Sequence, residues 1–354
     1  MTLSLPIHGR GAAENPANRF EKIDVVVDPD GDCAPAEGTP QTIYLKDSTR
    51  KIIAHNDSPD VGFEWSINPY RGCEHGCVYC YARPTHEWLG FSAGLDFETR
   101  IMVKMDAPEL LREELSKKKW EPAVISVSGV TDCYQPVERK LEITRRCLAV
   151  MVEFGNPFGI VTKSHLVTRD IDLLAEAAKK NLCVVMVSVT TLDEKLSRLM
   201  EPRAAAPARR LDAIAKLTEA GVPVGVMVAP VIPGLTDHEA PAILKAAREA
   251  GALSAGYVPV RLPYGVKDLF EAWLSRHFPD RQAKVLNRIM EIRGGKLNES
   301  QFGKRMRGEG VWAEQLKRVF EVAKRRAGID GGMPELSVEG FRLPRKGRGQ
   351  MELW

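Results

Sequence analysis

The sequence has no apolar run near the roughly 20 residues needed to span a bilayer. Its start, Met-Thr-Leu-Ser-Leu-Pro-Ile-His-Gly-Arg, lacks a basic segment followed by an apolar stretch. The expectation is a protein neither exported nor embedded in a membrane. An excess of one charge is also missing: 50 Lys and Arg stand against 47 Asp and Glu, a net +3, so any surface for a polyanion must be a local patch. Cysteine is scarce at seven in 354 residues, and the four at positions 33, 133, 147 and 183 are scattered. That distribution excludes a disulfide framework and fits a reducing, cytoplasmic setting. No internal repeat with a period of about 20–50 residues is visible. What is there is a chain 44% hydrophobic, enough to bury a large core.

The remaining three cysteines fall in one stretch from Asn68 to His86, Asn-Pro-Tyr-Arg-Gly-Cys-Glu-His-Gly-Cys-Val-Tyr-Cys-Tyr-Ala-Arg-Pro-Thr-His. Cys73, Cys77 and Cys80 stand in C-x3-C-x2-C spacing, and Gly72 and Gly76 let the backbone turn tightly around a common centre. Three thiolates can hold a [4Fe–4S] cluster while leaving one iron open to a small molecule. Structural zinc with His75 as fourth ligand is the alternative, although the second C-x2-C pair usual for such sites is missing. Three buried thiols without a metal are a third reading.

The loop resembles the radical S-adenosylmethionine superfamily, whose signature is this spacing with an aromatic just before the third cysteine, here Tyr79. Cys-Val-Tyr-Cys-Tyr at positions 77–81 is similar, within it, to the spore photoproduct lyase group, and the likeness continues from about Trp65 to about Leu262. It implies that the open iron chelates S-adenosylmethionine and that an external one-electron donor starts its cleavage to a 5′-deoxyadenosyl radical.

From residue 63 apolar, β-branched runs at 63–67, 123–127, 159–162, 183–189, 222–228 and 256–260 alternate with helical patterns. Ile143, Cys147, Val150 and Met151 form one such helical stripe, and stretches 170–180, 207–220 and 238–250 read similarly. Alternation of this length predicts an α/β fold with parallel strands and right-handed crossovers. Six units suit a partial (β/α)6 TIM-like barrel, the fold that the resemblance also implies. The expected organisation is an irregular N-terminal arm and short hairpin at 1–60, a core at 61–262, a helical C-terminal extension at 263–337 and a basic tail at 338–354. The arm reads equally as a disordered end or as a lid or packing segment, and strands at 43–45 and 52–54 are expected to pair as the hairpin.

Ligands of parallel sheets bind beyond the carboxyl ends of the strands, and polar residues gather at five of those ends. By resemblance, Ser128, Thr131 and Asp132 would receive the amino group of S-adenosylmethionine, Lys163 and Ser188 its carboxylate or ribose end, and Ala229 its adenine, with Tyr79 packed beside it. Gly129 stands where the lyase group carries a hydrogen-donating cysteine. Tyr81 matches a relaying tyrosine of that group, and Cys133 is a second donor candidate or simply a small interior hydrophobe. Glu201 and Arg203 could form an ion pair at the mouth, and His86, Glu87 and Trp88 could line its entrance.

Beyond residue 262 helices are expected at 266–278, 281–292 and 312–326, the last docking Leu316, Val319, Phe320 and Ala323 on the core. The Gly-rich basic loop 293–310 suits a phosphate backbone, hence DNA, or a solvated surface. The closing Gln350-Met-Glu-Leu-Trp354 resembles the pentapeptide that binds the bacterial sliding clamp; a Trp354 folded back on its own protein is the other reading. The functional expectation is a radical enzyme acting on nucleic acid in a repair-like reaction. A radical enzyme for a protein or small metabolite, and a non-catalytic iron–sulfur sensor or clamp-associated protein, are the alternatives.

Overall fold

Runs of Val and Ile, stiff at χ1 and apolar on both faces, set the centre of the molecule. The computed structural model describes residues 7, 9–20 and 40–344. Its strands are β1 (Ile43–Lys46), β2 (Ile53–His55), β3 (Trp65–Ile67), β4 (Tyr70–Arg71), β5 (Arg100–Val103), β6 (Ile125–Val127), β7 (Phe158–Thr162), β8 (Cys183–Ser188), β9 (Val224–Val231) and β10 (Ser254–Pro259). The main sheet has the order β10-β9-β8-β7-β6-β3-β2. Strands β3 and β6 to β10 are parallel and coincide with the six expected runs, so their carboxyl ends share one edge. Val185, Val187, Val224 and Val226 are fully buried at its middle. Helices Ile143–Phe154, Ile171–Ala178, Pro207–Glu219 and Ala240–Glu249 alternate with the strands, each burying a stripe such as Ile143, Cys147, Leu148 and Met151.

The expected hairpin is corrected. Strand β2 pairs antiparallel with β3, while β1 pairs parallel with β5 in a separate sheet of order β1-β5-β4. This small sheet brackets the cysteine loop, since β4 leads into it and β5 follows it. The described part of the N-terminal arm packs there as well. The backbone N–H groups of Gly11 and Ala12 donate to the Glu98 carboxylate at 3.0 and 2.9 Å. A Cβ on Gly11 would stand 1.8 Å from Gly76 O, so only glycine permits this approach.

At the other end, helices Val266–His277, Pro279–Glu291 and Gly310–Ala327 follow β10. The last buries Leu316, Phe320 and Ala323, with the Phe320 ring 4.5 Å from that of Tyr257 on β10. Val319, expected on the same face, is 47% exposed because its neighbours already fill the seam. The basic loop is largely structural at its start. Arg293 is fully buried and donates to the carbonyl oxygens of Pro259, Val260, Lys304 and Arg305, holding the loop over the end of β10. No helix among the described residues is long and apolar enough to cross a membrane. The pentapeptide 350–354 lies outside the described residues.

Candidate cluster and cofactor site

The cysteine loop is shaped by Gly72 and Gly76, whose φ values of 79° and 67° suit glycine, and is braced from beneath by Arg83. The Arg83 guanidinium donates to Cys77 O at 2.9 Å, Gly76 O at 3.2 Å, Ala93 O at 3.1 Å and Gly94 O at 2.9 Å. It also pairs with Glu98 at 2.5 Å, both side chains being fully buried. Gln135 adds a second brace, accepting from Glu74 N at 2.9 Å and donating to Gly72 O at 3.2 Å. Removing one partner of a buried ion pair costs about 3–5 kcal/mol, so the loop's path is strongly determined.

Cys73 and Cys77 are buried and Cys80 is partly so. Burial, then Asp132 and the neighbouring thiols, push Cys73 well above its ordinary value. Burial, then Glu201, pushes Cys77 up to about 12. Cationic irons would reverse that balance and hold all three as thiolates. Among the described residues no three Cys, His, Asp or Glu side chains gather to chelate a single metal ion. His75, the zinc alternative's fourth ligand, instead turns Nδ1 to Asp132 at 3.4 Å. Three cysteine thiols on one loop are the donor set that a [4Fe–4S] cluster with one open iron would take.

Above the loop, at the carboxyl ends of the strands, lies a cavity of about 610 Å³. Cys77, Cys80, Tyr79, Tyr81, Ser128, Lys163, Ser188 and Ala229 all border it, so eight of the expected residues meet there. Cys73, Thr131, Asp132 and Cys133 do not. Thr131 donates to Tyr70 O at 2.8 Å. Asp132 accepts from Thr162 Oγ1 at 2.8 Å, Lys163 N at 2.7 Å and Tyr134 N at 2.9 Å, tying the loop after β6 to the end of β7. Cys133 is fully buried, as its reading as a small hydrophobe requires. Ser128, Gly129 and Val130 line the cavity from this loop instead, with Ser126 from β6 itself.

Tyr79 is fixed by donating its hydroxyl to Glu201. Burial by itself would raise the Glu201 carboxyl, but Arg210 and then Lys163 outweigh it and bring it down to about 2. Glu201 pairs with fully buried Arg210, not with Arg203, which pairs with Glu74 at 3.0 Å on the other side of the loop. Tyr81 is half exposed and lines the cavity, and its hydroxyl donates to Gly129 O at 3.1 Å. The Lys163 ammonium stands 5.9 Å from the Tyr79 ring centroid.

The residues expected at the entrance lie elsewhere. His86 is buried with Nε2 2.9 Å from Arg100 O, Glu87 pairs with Arg19 at 2.8 Å, and Trp88 is exposed and stacks on Phe20 at 4.1 Å. The outer cavity is built instead from His55, Asn56, Arg261, Arg305 and Met306. Arg261 lies 5.4 Å from the Tyr81 ring centroid; its Nη1 reaches Met306 Sδ at 3.3 Å, and its buried Nε has no hydrogen-bond partner among the described residues. Burial, then the nearby Arg305, lowers its pKa. Arg305 is paired with Asp60 at 2.6 Å. The sequence signal for Arg261 is its place two residues beyond β10, at the sixth of the parallel strand ends.

Known proteins resemble this chain in sequence and in fold. The model of the radical SAM superfamily matches residues 67–247. An uncharacterised protein of Mycobacterium tuberculosis is 36% identical over 220 residues, 62% of this chain and 65% of the relative. The chain thus spans about 65% of the length of that relative. An uncharacterised protein of Methanocaldococcus jannaschii is 32% identical over 195 residues, 55% of this chain and 70% of the relative. In three dimensions the chain is similar to a cysteine-to-serine mutant of spore photoproduct lyase, with a TM-score of 0.57 at 17% identity, covering 80% of this chain and 79% of that one. Another mutant of that enzyme, with bound AdoMet and dinucleoside spore photoproduct, gives a TM-score of 0.55 at 17% identity, covering 80% of this chain and 78% of that one.

Proposed function

Because this chain belongs to the radical SAM superfamily, we propose that it is a radical enzyme acting on nucleic acid in a repair-like, lyase-type reaction. The cofactors of the superfamily are a [4Fe–4S] cluster, for which Cys73, Cys77 and Cys80 are the ligands, and S-adenosylmethionine. When bound and reduced, they supply a 5′-deoxyadenosyl radical able to abstract hydrogen from a substrate. The chain's own residues do the rest. The Lys163 ammonium can pair with a carboxylate and the Ser126, Ser128 and Ser188 hydroxyls can hydrogen-bond polar groups of the cofactor. Ala229 leaves room for an adenine, and the Glu201–Arg210 pair keeps Tyr79 from swinging into that space.

Tyr81 is the residue placed to hand a hydrogen atom back. Its hydroxyl rests on the carbonyl of Gly129, the position at which the lyase group carries its donor cysteine. The observation carrying the nucleic-acid reading is Arg261, a cation without a carboxylate partner in the outer cavity among the described residues, with Arg305 near it. A phosphodiester beside the reacting base would satisfy it. A protein or small-metabolite substrate is the second reading, favoured by the burial of Cys133 away from the cavity.

The test is anaerobic: the reconstituted protein is given S-adenosylmethionine and dithionite, and 5′-deoxyadenosine is assayed with and without ultraviolet-irradiated DNA. Deoxyadenosine that rises with damaged DNA, together with photoproduct loss, is expected. Deoxyadenosine indifferent to DNA would move the substrate to the second reading, and none from a fully loaded cluster would leave the sensor.

A further inference from the structure

Tyr264 lies three residues beyond Arg261, which lines the strand-end cavity, so at most about 10 Å of chain separates the two. It is 60% exposed and sits in a turn closed by Val266 N donating to Pro263 O at 3.1 Å, with φ at 50°. That left-handed position suits glycine, yet Gly265 stands next to it at an ordinary φ of −66°. The chain thus holds a bulky ring in water at a backbone cost that glycine at 264 would avoid, and such strain marks sites of function. A row of rings continues from it. The Arg19 guanidinium lies 3.7 Å from the Tyr264 ring centroid and 4.8 Å from that of Phe20, and Phe20 stacks on Trp88 at 4.1 Å with the planes 29° apart. Phe20 is half exposed and Trp88 is 73% exposed. Phe302, also half exposed, packs at 4.4 Å on Arg305, which lines the same cavity. Arg19 is paired with Glu87 and Arg305 with Asp60, so these two guanidiniums act as flat, neutralised spacers. The charge left to meet an anion is that of Arg261.

Large rings left in water as a connected row mark an interaction surface. We propose that this row stacks unpaired bases, so that the enzyme takes its nucleic acid single-stranded, the strand leaving the cavity past Arg261 and running over Tyr264 and Phe20 to Trp88. This rests on the nucleic-acid reading above and narrows it to unpaired strands. A base inside a duplex has both faces covered by its neighbours and offers none to a ring. An unpaired base has a free face, and its stacking on an aromatic side chain tolerates any sequence. Two observations favour such a strand over another protein. The row starts at Arg261, the cation to which a phosphodiester is assigned above, and it leads into the cavity in which the reacting base would sit.

The experiment uses the holoenzyme with a short fluorescein-labelled oligothymidylate and a blunt duplex of equal length. Anisotropy gives the affinities of wild type, Trp88→Ala, Trp88→Phe and Tyr264→Gly, the last chosen because glycine suits the turn. Wild type should bind the single strand about tenfold or more tightly than the duplex. Trp88→Ala and Tyr264→Gly should each weaken single-strand binding about tenfold, and Trp88→Phe much less, with duplex binding at the wild-type value. The slope of log affinity against log salt should not change, since no cation is removed. Equal wild-type affinity for the two DNAs, or single-strand affinity unchanged in both ring variants, overturns the proposal and leaves the nucleic-acid reading standing. Wild type that binds neither DNA fails that broader reading and takes the proposal with it. A melting temperature that falls with Tyr264→Gly alongside the lost binding would make the ring structural and overturn the proposal. So would a wild-type dimer in sedimentation that Trp88→Ala dissociates, which would assign the row to a second copy of the chain.

Discussion

Arg83 uses its five N–H donors on four carbonyls and one carboxylate, which lysine's three donors cannot reproduce. Such a residue looks from the sequence like any cation near a cysteine motif. His86, close by, carries a pH dependence. Burial lowers its pKa from 6.5 to about 4, and its Nδ1 has no hydrogen-bond partner among the described residues. Between those values the unfolded chain binds a proton that the folded one refuses, so this contribution is full above about pH 6.5 and is lost as pH falls toward 4. From pH 7 to pH 5 wild type should lose about 2 kcal/mol through this residue. Urea midpoints at the two values check this: His86→Gln should flatten the dependence, and a variant as acid-sensitive as wild type would assign it elsewhere.

At the scale of elements, the arm, the cysteine loop and the small sheet form one unit. Glu98 joins them, accepting from Gly11, Ala12 and Arg83 at once. A methyl group at residue 11 would collide with the backbone of Gly76. Gly11→Ala should therefore cost about 1–3 kcal/mol, typical of overpacking, and lower the iron retained per chain. Thermal melts and iron analysis measure the two together. Normal iron with a normal melt would mean that the arm shifts aside without disturbing the loop. The basic loop shows the same division of labour, since Arg293 holds the fold while Arg305 and Met306 reach the cavity.

Over the whole molecule, two cavities divide by chemistry on either side of the cysteine loop. One is bordered by Cys77, Cys80 and the strand ends, the other by arginines. If the outer part of the first holds a nucleic-acid phosphate, Arg261→Gln should weaken binding of irradiated DNA and reduce the slope of log affinity against log salt by about one. Titrations at several salt concentrations give that slope. An unchanged slope would remove Arg261 from the phosphate and favour an uncharged substrate.

The linear sequence by itself determined the cysteine motif that marks the superfamily, the six parallel strands and the helices between them, because motif spacing and hydrophobic period are local properties of the chain. It also located the cavity's general place, since strand ends are readable from the same period. Which side chains enter that cavity was decided only by the tertiary structure. Ser128, with φ at 78°, faces it while Asp132, four residues on, turns away to bind Thr162 and Lys163. Arg203 goes to Glu74 and Glu201 to Arg210, and β1 leaves its sequence neighbour β2 to pair with β5. Each of these is a choice among partners distant in the chain. Hydrogen bonds and burial across the folded whole settle such choices, and the order of residues does not encode them locally.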